Sequence, residues 1–199
     1  MKAIKENVFY LVVMALIVLI VVTFIFSYTG IIRVGGNVHQ LGDQISHLLD
    51  IGTKKSIFIS KNKDLVKKIN PKIDDLEIIT MLSAVYDNCY ILNLDADLVL
   101  ALIEQESNFT RTALSDKDAR GYMQVIPPTA ELVAAKMGKV SYDLYNTQDN
   151  ISIGCYYLAT LLHYYPGEIA LAAYYAGSRI HLGKDYALEV KQKREKYAG

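Results

Sequence analysis

The chemistry-bearing residues cluster between positions 98 and 124, and the first of them is a glutamate. With Leu98 set at 0° and a helical advance of about 100° per residue, Leu102 falls near about 40°, Val99 near about 100° and Ile103 near about 140°. Glu106 then lies at about 80°, inside that apolar stripe, whereas Glu104 lies at about 240°, on the opposite face, where solvent is expected. A carboxylate at the end of a buried stripe is desolvated, so its pKa rises and it keeps a proton near neutral pH. That is the protonation state a general acid needs. The competing role is structural: a carboxylate paired with Arg111 or Arg120 at a helix end. Ser107 next door has neither a Gly-x-Ser-x-Gly elbow nor a His/Asp partner pattern, so helix capping or packing is expected of it rather than nucleophilic attack.

The segment from Thr110 to Pro128 is the second unusual stretch, because loops of this length inside a compact domain are functional or disordered. Its Gly121-Tyr122-Met123-Gln124 run joins a flexible residue to an amphipathic ring, a thioether and an amide. Gln124 has the donor and acceptor set that a neutral polar ligand such as a sugar requires. Asp116 and Asp118 are the nearby carboxylates, and their loop setting reads as turn chemistry. Fifteen tyrosines, with doublets at 156–157, 164–165 and 174–175, offer rings that can pack in a core or stack on sugars.

Helices must position these groups. Asp74 or Asp75 can cap a helix carrying Leu76, Ile79, Leu82, Tyr86 and Cys89 on one side. A second helix starts near Asp95–Asp97 and runs to about Ser107. A third follows Pro127-Pro128 and ends at Gly138, and a fourth runs from about Asp149 to a stop at Pro166-Gly167. A fifth covers Glu168 to Ala176, and a last one, rich in Lys and Glu, covers about Asp185–Tyr197. The expected fold class is all-α, without a strand or an internal repeat.

The 199 residues leave room for one ordinary domain plus extras. Lys and Arg (21) balance Asp and Glu (21), and a pI near 6.9 argues against a polyanion-binding protein, so no nucleic-acid partner is expected. Two cysteines and four scattered histidines show no zinc-ligand spacing, so neither a metal nor a cofactor is expected. Cys89 and Cys155 could pair or stay as buried thiols; spacing does not choose between the two. The apolar excess, 52% of residues, is local: positions 7–32 carry no charge. Val8 to Tyr28 supplies the roughly 20 apolar residues a membrane span needs, against about 7–15 for a signal-peptide core. Lys2 and Lys5 precede it, which places the N-terminus in the cytoplasm and the remainder outside. A cleaved export signal, cut near Val34-Gly35-Gly36, is the alternative. Residues 30–75 carry eight basic and five acidic groups and residues 76–199 eleven and fifteen, a change of sign that marks a boundary near Asn70-Pro71. The expected organisation is therefore a cytoplasmic tip and transmembrane anchor over 1–29, a stalk over 30–75 and a globular domain over 76–199.

Four segments of that domain, in order, resemble the soluble lytic transglycosylase family. They are Glu106-Ser107-Asn108-Phe109 with Ala113 and Ser115, then Ala119 to Pro127 with Thr129-Ala130, then Asn150-Ile151 with Gly154, Tyr157 and Leu158, and finally Ala173-Tyr174-Tyr175-Ala176-Gly177. The family patterns are Glu-Ser-x-Phe, Gly-Leu-Met-Gln with Pro-x-Thr-Ala, Asn-Ile…Gly…Tyr-Leu, and Ala-Tyr-Asn-Ala-Gly. The resemblance covers about Leu76 to Tyr197. It implies a lysozyme-like helical domain, related to goose-type lysozyme, that cleaves the β-1,4 bond between N-acetylmuramic acid and N-acetylglucosamine in peptidoglycan. On the matching position Glu106 is the single acid and base, and the muramyl 6-hydroxyl closes the ring to a 1,6-anhydro end. The same resemblance implies that Ser115, Tyr122, Met123, Gln124, Tyr174 and Tyr175 contact the glycan, with the Tyr174 hydroxyl close to Glu106. Two positions depart from the pattern: Tyr122 stands for leucine and Tyr175 for asparagine, which puts fine substrate positioning in question. Expected partners are peptidoglycan glycan strands and, through residues 8–28, the bacterial inner membrane, with the domain on the periplasmic side. Whether an envelope or secretion apparatus is a further partner stays open. A catalytically silent peptidoglycan-binding module is the alternative of another class.

Overall fold

The computed structural model describes residues 2–29 and 35–198, with side chains described for 10–23 and 41–198. Two compact units divide the chain, Met1–Ile51 and Gly52–Gly199. The described residues are all-helical, as expected, with two isolated β-bridges, Leu114 to Arg120 and Arg120 to Val125, in place of any strand.

Helix α1 covers Lys2–Thr29. Leu11, Val12, Leu16 and Val18 are exposed along it, and Thr23 returns its hydroxyl to the carbonyls of Leu19 and Ile20, so this polar group leaves no unpaired donor on an apolar rod. Among the described residues no helix is long and apolar enough to cross a membrane. The described side chains stop at position 23, so the expected span Val8–Tyr28 extends at both ends beyond them, and residues 30–34 of the expected stalk lie outside the described residues.

The unit boundary falls within α2, Gly35–Ile69, and differs from the boundary expected near residue 75. Phe58, Asn62, Val66 and Ile69 recur at helical spacing, and Val66 and Asn62 are buried in the second unit. Phe58 packs its ring on Tyr86, Asn70 donates to the Phe109 carbonyl at 2.9 Å, and Lys61 donates to the Tyr197 carbonyl. Lysines that read as a solvated basic run are the rim of this contact, Lys55 holding Asp87 and Lys63 holding Asp75. The expected stalk is thus part of the domain from Gly52 onward, because an amphipathic stripe lies beneath the lysine density.

Asp74 caps α3, Asp75–Leu92, by accepting the Glu77 N–H. Its buried side is Ile78, Met81, Leu82, Val85 and Cys89, while Leu76, expected inside, is 73% exposed. Asp95 caps α4, Ala96–Ser107, whose residues 99–104 are buried on every side. Around it stand α5 (Pro127–Lys136), α6 (Thr147–Tyr164), α7 (Gly167–Ala176) and α8 (Lys184–Tyr197), the last entered through a 3-10 turn at Ile180–Gly183. α3 packs on α6, α4 on α8, and α7 on both α6 and α8. Cys89 and Cys155 are buried free thiols that neighbour each other, and the hydrogen bond with Cys89, together with burial, pushes the Cys155 thiol well above its ordinary range.

Candidate active site

Two glutamates near the end of α4 meet opposite fates. Glu104 is only 5% exposed, because α8 crosses the face on which solvent was expected. The Tyr197 hydroxyl donates to it at 2.5 Å, and Lys196 (2.5 Å) and Lys193 (3.3 Å) neutralise it. Burial alone would raise its pKa, but those donors more than offset it and hold the carboxyl below its usual range. Glu104 is a structural anion, ionised and spoken for. A cavity of about 550 Å³ lies beside it, lined by this same neutralised cluster.

Glu106, half-buried, lies on the other side of α4 and lines a groove of about 570 Å³. Burial lifts its carboxyl from an ordinary 4.5 to about 7, against the pull of a hydrogen bond donated by the Tyr186 hydroxyl. Neither arginine that could have made it structural is near: Arg111 pairs with Glu77 and Arg120 with Asp118. A carboxyl poised at about 7, on the wall of an open groove, has the geometry and the proton of a general acid.

The loop from Thr110 to Ile126 supplies another part of the groove. Its fastener is Asn150 at the start of α6, buried, which accepts the Met123 N–H at 2.8 Å and donates to the carbonyls of Arg120 (2.8 Å) and Leu144 (2.9 Å). Gly121 makes that approach possible: its φ is +75°, and a Cβ there would sit 2.3 Å from the Asn150 amide nitrogen. Gln124 also takes a left-handed conformation, φ 46°, and its amide donates to the carbonyls of Ala113 and Gly121. Ser115 closes the neighbouring turn by accepting the N–H groups of Lys117 and Ala119. Both Gln124 and Ser115 line the groove.

Tyr174 and Tyr175 line it from the end of α7. The Tyr174 hydroxyl donates to the Met123 carbonyl at 2.9 Å, so its hydrogen bond braces the loop rather than the glutamate. Its ring packs on Tyr157, which also faces the groove. Tyr175 is 58% exposed and stacks on Tyr186, with ring centres 4.7 Å apart and planes at 18°.

Two of the residues expected to contact the glycan do not reach the groove. Tyr122 is fully buried and turns away, donating to Glu77 at 2.7 Å. The tyrosine is accommodated where the family has leucine because a carboxylate on α3, Glu77, satisfies its buried hydroxyl. Met123 is also buried, against Gly154, where a Cβ would come within 2.5 Å of its sulfur. Its role is to pack the loop onto α6. Ser107 behaves as expected of a packing residue, donating to the carbonyls of Ile103 and Tyr122.

Tyr186 and Asn150 escaped the reading of the sequence as site residues. Tyr186 sits in a helix dense in Lys and Glu, and its only signal is an apolar stripe, Tyr186, Val190 and Tyr197, on that helix. Asn150 reads as an ordinary residue of a first helical turn until the loop folds over it.

The Transglycosylase SLT domain family matches residues 88–197, more than half of the chain, and the chain belongs to that family. It is similar to the putative soluble lytic murein transglycosylase of Haemophilus influenzae, 35% identical over 98 residues, covering 47% of this chain and 16% of that protein. It is also similar to the membrane-bound lytic murein transglycosylase C of Serratia proteamaculans, 39% identical over 80 residues, covering 38% of this chain and 22% of that protein. This chain therefore spans about a fifth or less of the length of those relatives in the matched region. Among solved structures, an inactive mutant of lytic transglycosylase Slt from Pseudomonas aeruginosa aligns at 24% identity with a TM-score of 0.49, covering 66% of this chain and 25% of that one. The complex of a 70-kDa soluble lytic transglycosylase with bulgecin A aligns at 23% identity and a TM-score of 0.47, covering 62% of this chain and 24% of that one.

Proposed function

We propose that the domain is a peptidoglycan lytic transglycosylase that uses Glu106 as its single acid and base. One observation carries the reading: a groove-lining carboxyl that holds its proton near neutrality and is oriented by a tyrosine hydroxyl. Family membership supports peptidoglycan as the substrate class, and the bond taken here as the one cut is that between N-acetylmuramic acid and N-acetylglucosamine.

Glu106 delivers its proton to the glycosidic oxygen as the bond to the muramyl anomeric carbon breaks, and the sugar's own acetamido group shields the developing positive charge. The carboxylate that remains then removes the proton of the muramyl 6-hydroxyl, whose oxygen closes on the anomeric carbon. Glu106 ends with its proton restored, the product carries a 1,6-anhydro ring, and no water is consumed. A two-carboxylate hydrolase needs a second acid in a defined geometry. Asp116, the other carboxylate on the groove, is exposed at a loop tip, which fits a turn residue better. Ser115, Gln124, Tyr174 and Tyr175 line the path the glycan would take. Residues 8–28 anchor the domain in the inner membrane and leave it facing the wall, a reading supported by the uncharged run over 7–32.

Digestion of purified sacculi by the full-length protein, with mass analysis of the fragments, tests this. Anhydro-muramyl ends, lighter by one water than hydrolysis products, are expected, and none from Glu106→Gln. Reducing muramyl ends after short digestion would make the enzyme a hydrolase, and binding without fragments would make it a wall-binding module.

A further inference from the structure

Both cysteines of the chain occupy core-facing positions on two helices that pack together. Ile78, Leu82, Val85 and Cys89 recur at helical spacing on the buried side of α3, and Ile151, Cys155 and Leu158 do the same on α6. One buried thiol is an ordinary small apolar filler. Two that meet across a helix pair hold a further possibility, because their sulfurs can be joined. Cys155 makes a hydrogen bond with Cys89 on one side and has the Met123 sulfur at 4.0 Å on the other. The pair therefore lies behind the loop from Thr110 to Ile126, where Met123 packs that loop against Gly154.

The folded core is a poor place to start exchange chemistry. Cys89 is 4% exposed and Cys155 0%, and burial with the neighbouring sulfur works against a thiolate at Cys155. The nucleophile in thiol–disulfide exchange is the thiolate, and it must be reached by its oxidant. Oxidation thus belongs to the folding chain, before α6 closes on α3, and the finished core then shields the bond from reductant.

We infer that Cys89 and Cys155 are joined by a disulfide as the domain folds, and that this bond clamps α3 to α6 behind the groove loop. The inference rests on the outward-facing reading of the domain, since disulfides persist outside the cytoplasm, and is independent of the glycan chemistry. The oxidant is a disulfide-bearing protein or small molecule of that compartment. One cysteine thiolate attacks the oxidant's disulfide, giving a mixed disulfide and a first oxidant thiol. The second cysteine, as thiolate, attacks the sulfur of the first and expels the other oxidant thiol. Two electrons pass to the oxidant, and the two protons the cysteines lose end on its sulfurs. The bond closes residues 89–155 into one covalent loop that contains α4, Glu106 and the whole segment 110–126, which restrains the unfolded chain.

Full-length protein in detergent, unfolded in guanidinium, is refolded either in mixed reduced and oxidised glutathione or in excess dithiothreitol. Protein taken from cells quenched in acid and alkylated is analysed beside it. Glutathione-refolded and cell-derived wild type should show no reactive thiol when unfolded without reductant, and a mass lower by two hydrogens. The glutathione-refolded form should melt about 5–12 °C above the dithiothreitol-refolded one. Cys89→Ala and Cys155→Ala should each show one thiol and melt alike after either refolding. Two reactive thiols in the glutathione-refolded or the cell-derived wild type overturn the bond, a comparison that stands even if both variants fold poorly. A cross-linked wild type that melts level with the reduced form overturns the clamp. Sacculus lysis is recorded on the same preparations: its absence from both refutes the lytic reading, while the thiol count still decides the disulfide.

Discussion

Replacing Glu106 with glutamine should abolish lysis and at the same time make the protein more stable, but only at high pH. The sign follows from the shift. The folded carboxyl titrates at about 7 against an ordinary 4.5, so the native state binds more protons across that window. Its contribution is fully present below about 4.5 and is lost as pH rises through about 7, where a buried group is forced to ionise. The full 2.5-unit difference corresponds to a ceiling of about 3 kcal/mol. Because the carboxyl opens on groove water and keeps the Tyr186 hydrogen bond, about 1–2 kcal/mol is the realistic part. Glutamine accepts the same Tyr186 hydroxyl and never ionises. The variant should therefore melt about 3–6 °C above wild type at pH 8.5 and level with it at pH 4. Thermal unfolding across pH, in parallel with sacculus lysis, makes the measurement. A glutamine variant that is less stable at pH 8.5, or whose stability difference does not change with pH, refutes the account of a destabilised, proton-holding acid.

Glu104→Gln should do the reverse, lowering stability by about 1–3 kcal/mol by stranding Lys193, Lys196 and Tyr197 while leaving the lysis rate per folded molecule intact; its pKa is depressed, so the loss shows above the ordinary carboxylate range and fades as acid protonates the wild type. Tyr186→Phe removes a bond that favours the charged form of Glu106, so the alkaline limb of the rate profile should move to higher pH even as the rate falls, and a limb moving down would count against that hydrogen bond. Tyr175→Asn strips the ring that covers Tyr186 and admits water toward Glu106, so the limb should move to lower pH with little change in melting, whereas Tyr175→Phe keeps the stack and leaves the limb in place. Full-length protein should stay with membranes through high salt and alkali; a soluble product beginning near Asn37 would establish a cleaved export signal instead.

Much of the helical content was legible because its signals are local. Asp74, Asp95 and the prolines at 127–128 and 166 mark helix ends by their own backbone chemistry, and the observed bounds fall within a few residues of those expected. The loop at 110–126 announced itself by length and by Gly121. The stalk over residues 52–75 was misread because its lysines are visible in the sequence while the helix face that buries Val66 is only periodic.

The sequence by itself determined the phase of α4, which singles out Glu106 on the apolar stripe, and that phase needs no neighbour. Tertiary structure alone decided what the neighbours do. Glu104 lies where solvent is expected for an isolated helix, and α8, some ninety residues later, covers it and turns it into a buried ion pair. Tyr186 reaches Glu106 from that same late helix, and Asn150 gathers a loop that starts about forty residues earlier. Periodicity reports which face of a helix is apolar; it says nothing of which distant element covers the other face. A carboxylate's proton is set by that cover, through burial and the donors it brings.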